Sequence, residues 1–184
     1  PKCFLLPSVG GQPPRTAFGH IFSRQLGLLR NIGVLPQPRE GADEAMFDRL
    51  QLATEGFDIL NDPEGDVAQL ALCMLERPIA LLGPTELRPA LNRFKNQLNE
   101  NAARFARIGV IPEMNHNESV AWGGVGTDQD ASASDHVLLL LTWQGMHRQV
   151  SKHMDWMVAH ATTDLAWKIA GEGNTLLESM LHLC

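Results

Sequence analysis

Two short segments rich in asparagine, glutamate and histidine flank a brief apolar run in the middle of this sequence. The first is NENA at residues 99–102, which contains Glu100, and the second is MNHNE at residues 114–118, which contains His116. A carboxylate can remove a weakly acidic proton next to a carbonyl and return it to the adjacent carbon. Histidine can both give and take a proton near pH 7. The two segments therefore contain the residue types of acid–base catalysis.

The spacing around Glu100 also fits an ordinary surface position on a helix. Apolar residues recur at the i, i+4, i+7 and i+11 positions of one face, namely Leu87, Leu91, Phe94 and Leu98. Glu100 lies about 200° around the helix from Leu98, beside the polar residues Arg93, Asn96 and Gln97. The pattern alone favours a solvated polar face, although lysine or arginine would suit the dipole at this helix end better.

The second segment has a structural interpretation too. Asn115 with Glu118 three residues later fits a capping box at the start of a helix. This interpretation accounts for both of those residues but not for His116. A single histidine is more often structural than catalytic, so the pattern leaves both roles of His116 open.

Strands and helices alternate along the sequence. Apolar runs predict strands over 78–83, 105–112, 136–143 and 163–170, and helical patterns cover 16–33, 42–60, 61–77, 85–104, 115–122, 146–161 and 174–184. Asp62 as N-cap with Pro63 after it predicts where the third helix begins, and Gly33 predicts the end of the first. Continuous apolar strands separated by helices predict an α/β fold, with a parallel sheet of about four to five strands and helices on both faces.

This element order places the two segments at opposite edges of the sheet. Glu100 ends the helix that precedes the strand over 105–112, whereas His116 begins the helix that follows it. Five or six strand residues separate the two edges by roughly 15–20 Å, so we expect that these side chains do not meet within one chain. If both serve one active site, a second subunit must supply one of them, and a two-fold dimer then contains two such sites.

The composition narrows the classes of function. A net charge of −6 provides no basic field for nucleic acid or for an anionic membrane. The three cysteines Cys3, Cys73 and Cys184 stand far apart without a CxxC pair, which argues against a disulfide framework and favours a reducing, cytoplasmic setting. No apolar run approaches the roughly 20 residues of a membrane span, and no secretory signal is visible.

The sequence resembles the second sugar isomerase domain of the bifunctional phosphoglucose/phosphomannose isomerases. The matching motifs are FKNQLNENA at 94–102 and PEMNHNE at 112–118, with flanking agreement in PPRTAFGH, PIALLG and GEGNTLLESMLHL. The resemblance covers nearly the whole sequence, and two motifs at this spacing are more specific than a lone GxGxxG.

The resemblance implies roles for five residues. Glu100 would be the base that moves a proton between C1 and C2 of an open-chain sugar phosphate, and His116 from the neighbouring subunit would assist ring opening. Gln97, Asn99 and Asn115 would bind the substrate. The implied reaction is aldose–ketose isomerisation of a hexose phosphate through an enediolate in a homodimer, with no cofactor and no metal.

The same family has an upstream sugar isomerase domain, whose Ser/Thr-rich loops hold the phosphate, and a lysine beyond the final helix. Neither feature is found in residues 1–184. We therefore expect these residues to form a single domain, the C-terminal part of a longer two-domain protein, and to be inactive alone. The alternative is a non-catalytic sugar-phosphate-binding or regulatory domain that keeps the fold.

Other candidate sites are weaker. The loop GGVGTDQDASASD at 123–135 has glycines near a threonine but no GK[ST] ending, and its aspartates would repel phosphate, so a mobile loop is favoured. His147, His153 and His160 lie on one helix, and surface positions are favoured over a metal site. The four tryptophans, Trp122, Trp143, Trp156 and Trp167, are expected to pack in the core or at a subunit interface.

Overall fold

The computed structural model describes residues 5, 7, 10–13, 15–123 and 131–184. This part of the chain forms four strands and seven α-helices. The helices are α1 (Phe18–Asn31), α2 (Ala42–Gly56), α3 (Asp66–Met74), α4 (Arg88–Asn101), α5 (Glu118–Ala121), α6 (Arg148–His160) and α7 (Leu176–His182). The strands are β1 (Ile79–Pro84), β2 (Ala106–Ile111), β3 (Val137–Trp143) and β4 (Ala166–Gly171).

The chain divides into two compact units, Pro1–Ala45 and Met46–Cys184. The first unit contains α1, which ends where Gly33 adopts a φ of +77° and its N–H bonds to the carbonyl of Arg30. Positive φ is freely accessible to glycine, so the predicted helix end at Gly33 is confirmed. In the same unit Arg30 forms an ion pair with Asp43, a residue of the first turn of α2.

The second unit is built on a parallel sheet in the order β2-β1-β3-β4. β1 and β3 are central and buried along nearly their whole length, as expected for apolar runs covered on both faces. One face of the sheet packs against α4 and α7, through core residues such as Leu81, Leu139 and Leu91. The other face, with Leu82 and Leu140, packs against Met154 and Met157 of α6. The α/β fold predicted from the sequence is confirmed.

The predicted start of the third helix was wrong. The third helix begins at Asp66 with Gly65 as its N-cap, and not at Asp62 and Pro63. The reason is a turn over 62–65, in which the N–H of Gly65 donates to the carbonyl of Asp62 at 3.2 Å. Because the turn closes around Pro63 and Glu64, the helix begins only after it. None of the helices that the structure describes is long and apolar enough to cross a membrane.

Candidate functional site

Glu100 lies in the last turn of α4, on the solvent side of the helix. The buried face consists of Ala90 and Leu91, and Phe94 and Leu98 pack partly against the same core. Glu100 is exposed, as are Asn96 and Asn99. The helix therefore presents carboxylate and amide groups together at its C-terminal end.

The end of α4 is fixed in place by hydrogen bonds. Asn101 donates through its side chain to Oε1 of Gln97 at 2.9 Å. Beyond the helix, the N–H of Arg104 donates to the carbonyl of Leu98 at 3.0 Å, and the Arg104 guanidinium donates to the carbonyl of Arg77 at 2.7 Å. Ala103, between them, adopts a φ of +51°. These bonds anchor the C-terminal end of the helix that carries Gln97, Asn99 and Glu100.

His116 lies on a short turn that follows β2. The chain leaves β2 through a cis peptide between Ile111 and Pro112 and enters a 3-10 turn over Glu113–His116. Met114 is buried in the core, and its carbonyl accepts from the N–H of Asn117 at 3.1 Å. His116 itself is exposed. The buried Met114 therefore anchors the turn in the core, while the imidazole of His116 faces solvent.

The predicted capping box of Asn115 and Glu118 is wrong, because the cap is Asn117. Its Oδ1 accepts from the N–H of Glu118 at 2.6 Å. The 3-10 turn takes up residues 113–116, so α5 begins two residues later than a box starting at Asn115 requires. Asn115 is exposed, and its Oδ1 accepts from the Ser119 hydroxyl at 3.5 Å.

Glu118 forms an ion pair with Arg107 of β2 instead of completing a cap. The distance from Arg107 Nη2 to Glu118 Oε2 is 2.9 Å. The guanidinium also lies over the Trp122 ring, 5.2 Å from the ring centroid, which is a favourable cation–π distance. Because Trp122 is buried in the core, these contacts tie α5, and the turn before it, to β2.

The structure groups the five predicted residues into two sets and does not bring the sets together. Gln97, Asn99 and Glu100 precede β2, whereas Asn115 and His116 follow it. The six residues of β2 span about 20 Å at the usual rise per residue. Within one chain, the carboxylate and the imidazole therefore lie at opposite edges of the sheet.

Among the described residues of the second unit, the most buried carboxylate was not one of the predicted residues. Glu178 of α7 accepts two hydrogen bonds from Arg49 of α2, at 2.6 and 3.1 Å. The Arg49 guanidinium lowers the pKa of Glu178, because its hydrogen bond stabilises the charged carboxylate; burial opposes this shift and the Asn174 N–H reinforces it. The sequence did contain a signal for the start of this helix, because Thr175 and Glu178 have the spacing of a capping box. In the structure Thr175 Oγ1 accepts from the Glu178 N–H.

The tryptophans pack in the core as predicted, since Trp122 is buried and Trp143, Trp156 and Trp167 pack against core residues. The histidine predictions are met in part. His147 and His160 are exposed on the surface, as predicted. His147 caps α6 by accepting from the Gln149 N–H at 3.2 Å, and the His160 ring stacks on the Trp156 ring with 4.9 Å between the ring centroids. His153 is instead half-buried, and burial lowers its pKa. Among the described residues, no group of three or more acidic, histidine or cysteine side chains could hold a metal ion. Most of the glycine-rich loop, residues 124–130, lies outside the described residues.

Comparison with solved structures defines the class of fold. A crystal structure of a protein named as a candidate phosphosugar isomerase, from Clostridium difficile 630, superimposes with a TM-score of 0.51. The two sequences are 14% identical, over 89% of this chain and 46% of that chain. The likeness shows that the two chains share an α/β fold.

Comparison of sequences then shows the family. Residues 64–184 match the bacterial phospho-glucose isomerase C-terminal SIS domain, and the chain belongs to this family. A bifunctional phosphoglucose/phosphomannose isomerase from Aquifex aeolicus (strain VF5) is 28% identical over 185 residues, which is 98% of this chain and 52% of that protein. The chain therefore spans about half the length of this curated relative. All five predicted site residues fall within the matched range.

Proposed function

We propose that this chain is the C-terminal domain of an aldose–ketose isomerase. The reaction would interconvert glucose 6-phosphate or mannose 6-phosphate with fructose 6-phosphate. The family membership of residues 64–184 and the name of the Aquifex aeolicus relative support this proposal. The observation that carries it is the placement of Glu100 and His116 on two firmly held elements at opposite ends of β2.

In the proposed reaction Glu100 acts on the open-chain sugar. Its carboxylate removes the C2 proton of the aldose, the electron pair forms the enediolate, and the same carboxylate returns the proton to C1 to give the ketose. The hydroxyl proton at C2 moves to the C1 oxygen, so the reaction is a redistribution of atoms with no net gain or loss. The chemistry needs no cofactor.

His116 would open the sugar ring before this step. Opening requires that the ring oxygen gain a proton while the anomeric hydroxyl loses one, and an imidazole can serve in either direction near neutral pH. Because one chain keeps Glu100 and His116 at opposite edges, His116 would reach the site from a second copy. The active form would then be a homodimer with two shared sites.

The remaining parts of the site would come from neighbouring groups. Gln97, Asn99 and Asn115 carry amides that both donate and accept, which suits the hydroxyls of a sugar. Glu100 is exposed in this chain, whereas a catalytic base works best where water is excluded. We infer that a partner subunit and an upstream sugar isomerase domain cover it, and that the upstream domain holds the phosphate.

A second candidate is a sugar-phosphate-binding or regulatory domain without catalysis. The exposure of both Glu100 and His116 favours it, because neither side chain is enclosed by this chain. An assay of isomerase activity separates the two candidates, since a binding domain would bind sugar phosphate without converting it.

The test is isomerase activity of the full-length natural protein on fructose 6-phosphate, with both aldose products followed. In D₂O we expect deuterium at C2 of the aldose, because the base exchanges its proton with solvent. Glu100→Gln should abolish turnover and exchange. Glu55→Gln, which changes another exposed carboxylate in the last turn of a helix, is the matched control. A folded protein without isomerisation, or a fully active Glu100→Gln variant, would contradict the proposal.

A further inference from the structure

A cavity of about 360 Å³ lies at the C-terminal ends of β3 and β4. Thr142, Trp143 and Gln144 form one side, and the segment 170–173 forms the other. In parallel α/β sheets, ligands bind beyond the carboxyl ends of the strands. The volume falls within the range of about 300–1,000 Å³ that is typical of small-molecule pockets.

The indole ring in this cavity is held in one position. Nε1 of Trp143 donates to Oε1 of Glu86 at 3.0 Å, and Glu86 lies two residues after the end of β1. This bond joins the ends of β1 and β3, the two central strands, where the order of the sheet reverses. Gly145 leaves the space that the ring needs, because a Cβ there would lie 2.3 Å from two ring carbons. The aromatic surface is therefore formed before any ligand arrives.

The opposite wall is also fixed, by bonds to its backbone. Nε2 of Gln144 donates to the carbonyl of Gly173 at 2.9 Å. The N–H of Asn174 donates to Oε2 of the buried Glu178 at 2.9 Å. A Cβ on Gly173, which has a φ of +145°, would lie 2.6 Å from Cγ of Glu178. The loop after β4 therefore packs closely on α7.

The charges around the cavity disfavour the binding of phosphate. Glu172 is exposed on its lining, and among the described residues its carboxylate has no hydrogen-bond or ion-pair partner. The described lining includes no lysine or arginine. A phosphate group, with a charge of about −1.5 to −2 at neutral pH, would meet repulsion from Glu172 without a compensating cation.

We propose that this cavity binds a neutral, hydroxyl-rich ligand, a sugar or polyol without a phosphate group. The Glu172 carboxylate would accept from its hydroxyls, the Gln144 amide could both donate and accept, and the indole offers an apolar surface to its C–H groups. The proposal does not rest on the proposed isomerase function, because neither Glu100 nor His116 contributes to the cavity.

The test is titration of the full-length natural protein with sorbitol and with D-glucose, followed by saturation-transfer NMR and by calorimetry. Gluconate and ethanolamine serve as the anionic and cationic comparisons, because glucose 6-phosphate would also bind at the proposed isomerase site. We expect Glu172→Gln to weaken sorbitol binding about tenfold, as for loss of one hydrogen bond to a charged group. Glu172→Lys should improve gluconate binding relative to glucose. Glu55→Gln, at an exposed carboxylate outside the cavity, should leave all affinities unchanged.

Glu172 also borders a second, larger cavity beside β4. Gln144 lines the first cavity and not this second one, so the Gln144→Leu variant distinguishes binding in the first cavity from binding in the second. Weaker sorbitol binding in both Gln144→Leu and Glu172→Gln supports the proposal. Absence of sorbitol and glucose binding by the folded protein, tighter binding of ethanolamine, or equal affinity in these two variants and the control would overturn it. Isomerase activity of Glu100→Gln has no bearing on these outcomes.

Discussion

Arg49 of α2 and Glu178 of α7 form a two-point ion pair, with Nε and Nη2 of the arginine donating to the two carboxylate oxygens. The Glu178 side chain is only 3% exposed, whereas that of Arg49 is 45% exposed. The same carboxylate accepts the Asn174 N–H, and the Thr175 hydroxyl accepts the Glu178 N–H. One buried group therefore joins α2, the start of α7 and the loop after β4.

This pair should make the protein sensitive to acid. The folded pKa of Glu178 is lowered below its ordinary value of 4.5 by the Arg49 hydrogen bond. The stabilisation is therefore complete above pH 4.5 and is lost as the pH falls through the lower, folded pKa. We expect the unfolding midpoint to decrease over this acidic range in the wild type.

Arg49→Met should lower the unfolding midpoint at pH 7, because it leaves a buried carboxylate without its cation. The variant should also reduce the decrease of the unfolding midpoint at acidic pH, because the Arg49 hydrogen bond no longer stabilises the charged form of Glu178 in the folded protein. Arg148→Met, at an exposed arginine of α6, is the matched control and should change neither quantity. Thermal unfolding followed by circular dichroism between pH 3 and 7 measures both. An acid profile that is identical in wild type and Arg49→Met would count against the pair.

Much of the fold was predictable because its signals are local. β1 and β3 are apolar runs with helices on either side, and such runs indicate buried parallel strands whatever their neighbours are. The opposite placement of Glu100 and His116 also followed from element order alone. The roles of these two residues came from family resemblance, because exposed residues on a helix end and a turn carry no distinctive pattern.

The missed features depend on contacts that the sequence does not show. Arg49 and Glu178 are 129 positions apart, and no local pattern tells which helix α7 packs against. The cap at Asn117 depends on the 3-10 turn before it, which takes up residues that a simple capping box would use. In both cases tertiary geometry decides between side chains that the sequence offers equally.

Gly171→Ala should destabilise the second unit. A Cβ at Gly171 would lie 2.6 Å from the backbone carbonyl of Ser179 and 2.8 Å from Leu183 Cδ1, so α7 would have to move away from β4. We expect a loss of about 1–3 kcal/mol in the free energy of unfolding, as for overpacking in a core. Gly56→Ala, where a Cβ meets no atom within 4 Å, is the control. Urea denaturation measures both, and equal midpoints for the two variants would show that α7 is not held so closely.

Ala103→Gly should stabilise the protein. Ala103 has a φ of +51° directly after the helix that carries Glu100, and a left-handed conformation costs a residue with a Cβ about 1–2 kcal/mol. Part of this gain is offset by the greater chain entropy of glycine, about 0.5–1 kcal/mol. We expect a net gain of roughly 0.5–1 kcal/mol. Ala102→Gly, at a φ of −110°, has no strain to relieve and should destabilise; a gain in Ala102→Gly, or a loss in Ala103→Gly, would contradict this assignment.

Mixed dimers test whether Glu100 and His116 meet across a subunit interface. Full-length Glu100→Gln and His116→Asn subunits, each inactive as expected for the proposed function, would be unfolded together and refolded. If the site is shared, each mixed dimer contains one site with both native residues. Random pairing then restores about a quarter of the wild-type activity. If both residues serve a site within one subunit, no activity returns.

Refolding wild type with the Glu100→Gln/His116→Asn double variant gives the complementary control. A shared site makes every mixed dimer inactive, so about a quarter of the wild-type activity remains at equal amounts of the two subunits. A site within one subunit leaves about half. Compared with a shared site, a site within one subunit gives less activity in the first mixture and more activity in the second. A general loss of activity on refolding lowers both values, so it cannot imitate either pattern. Recovery of no activity in the first mixture, with half remaining in the second, would place both residues in one subunit and rule out the shared site.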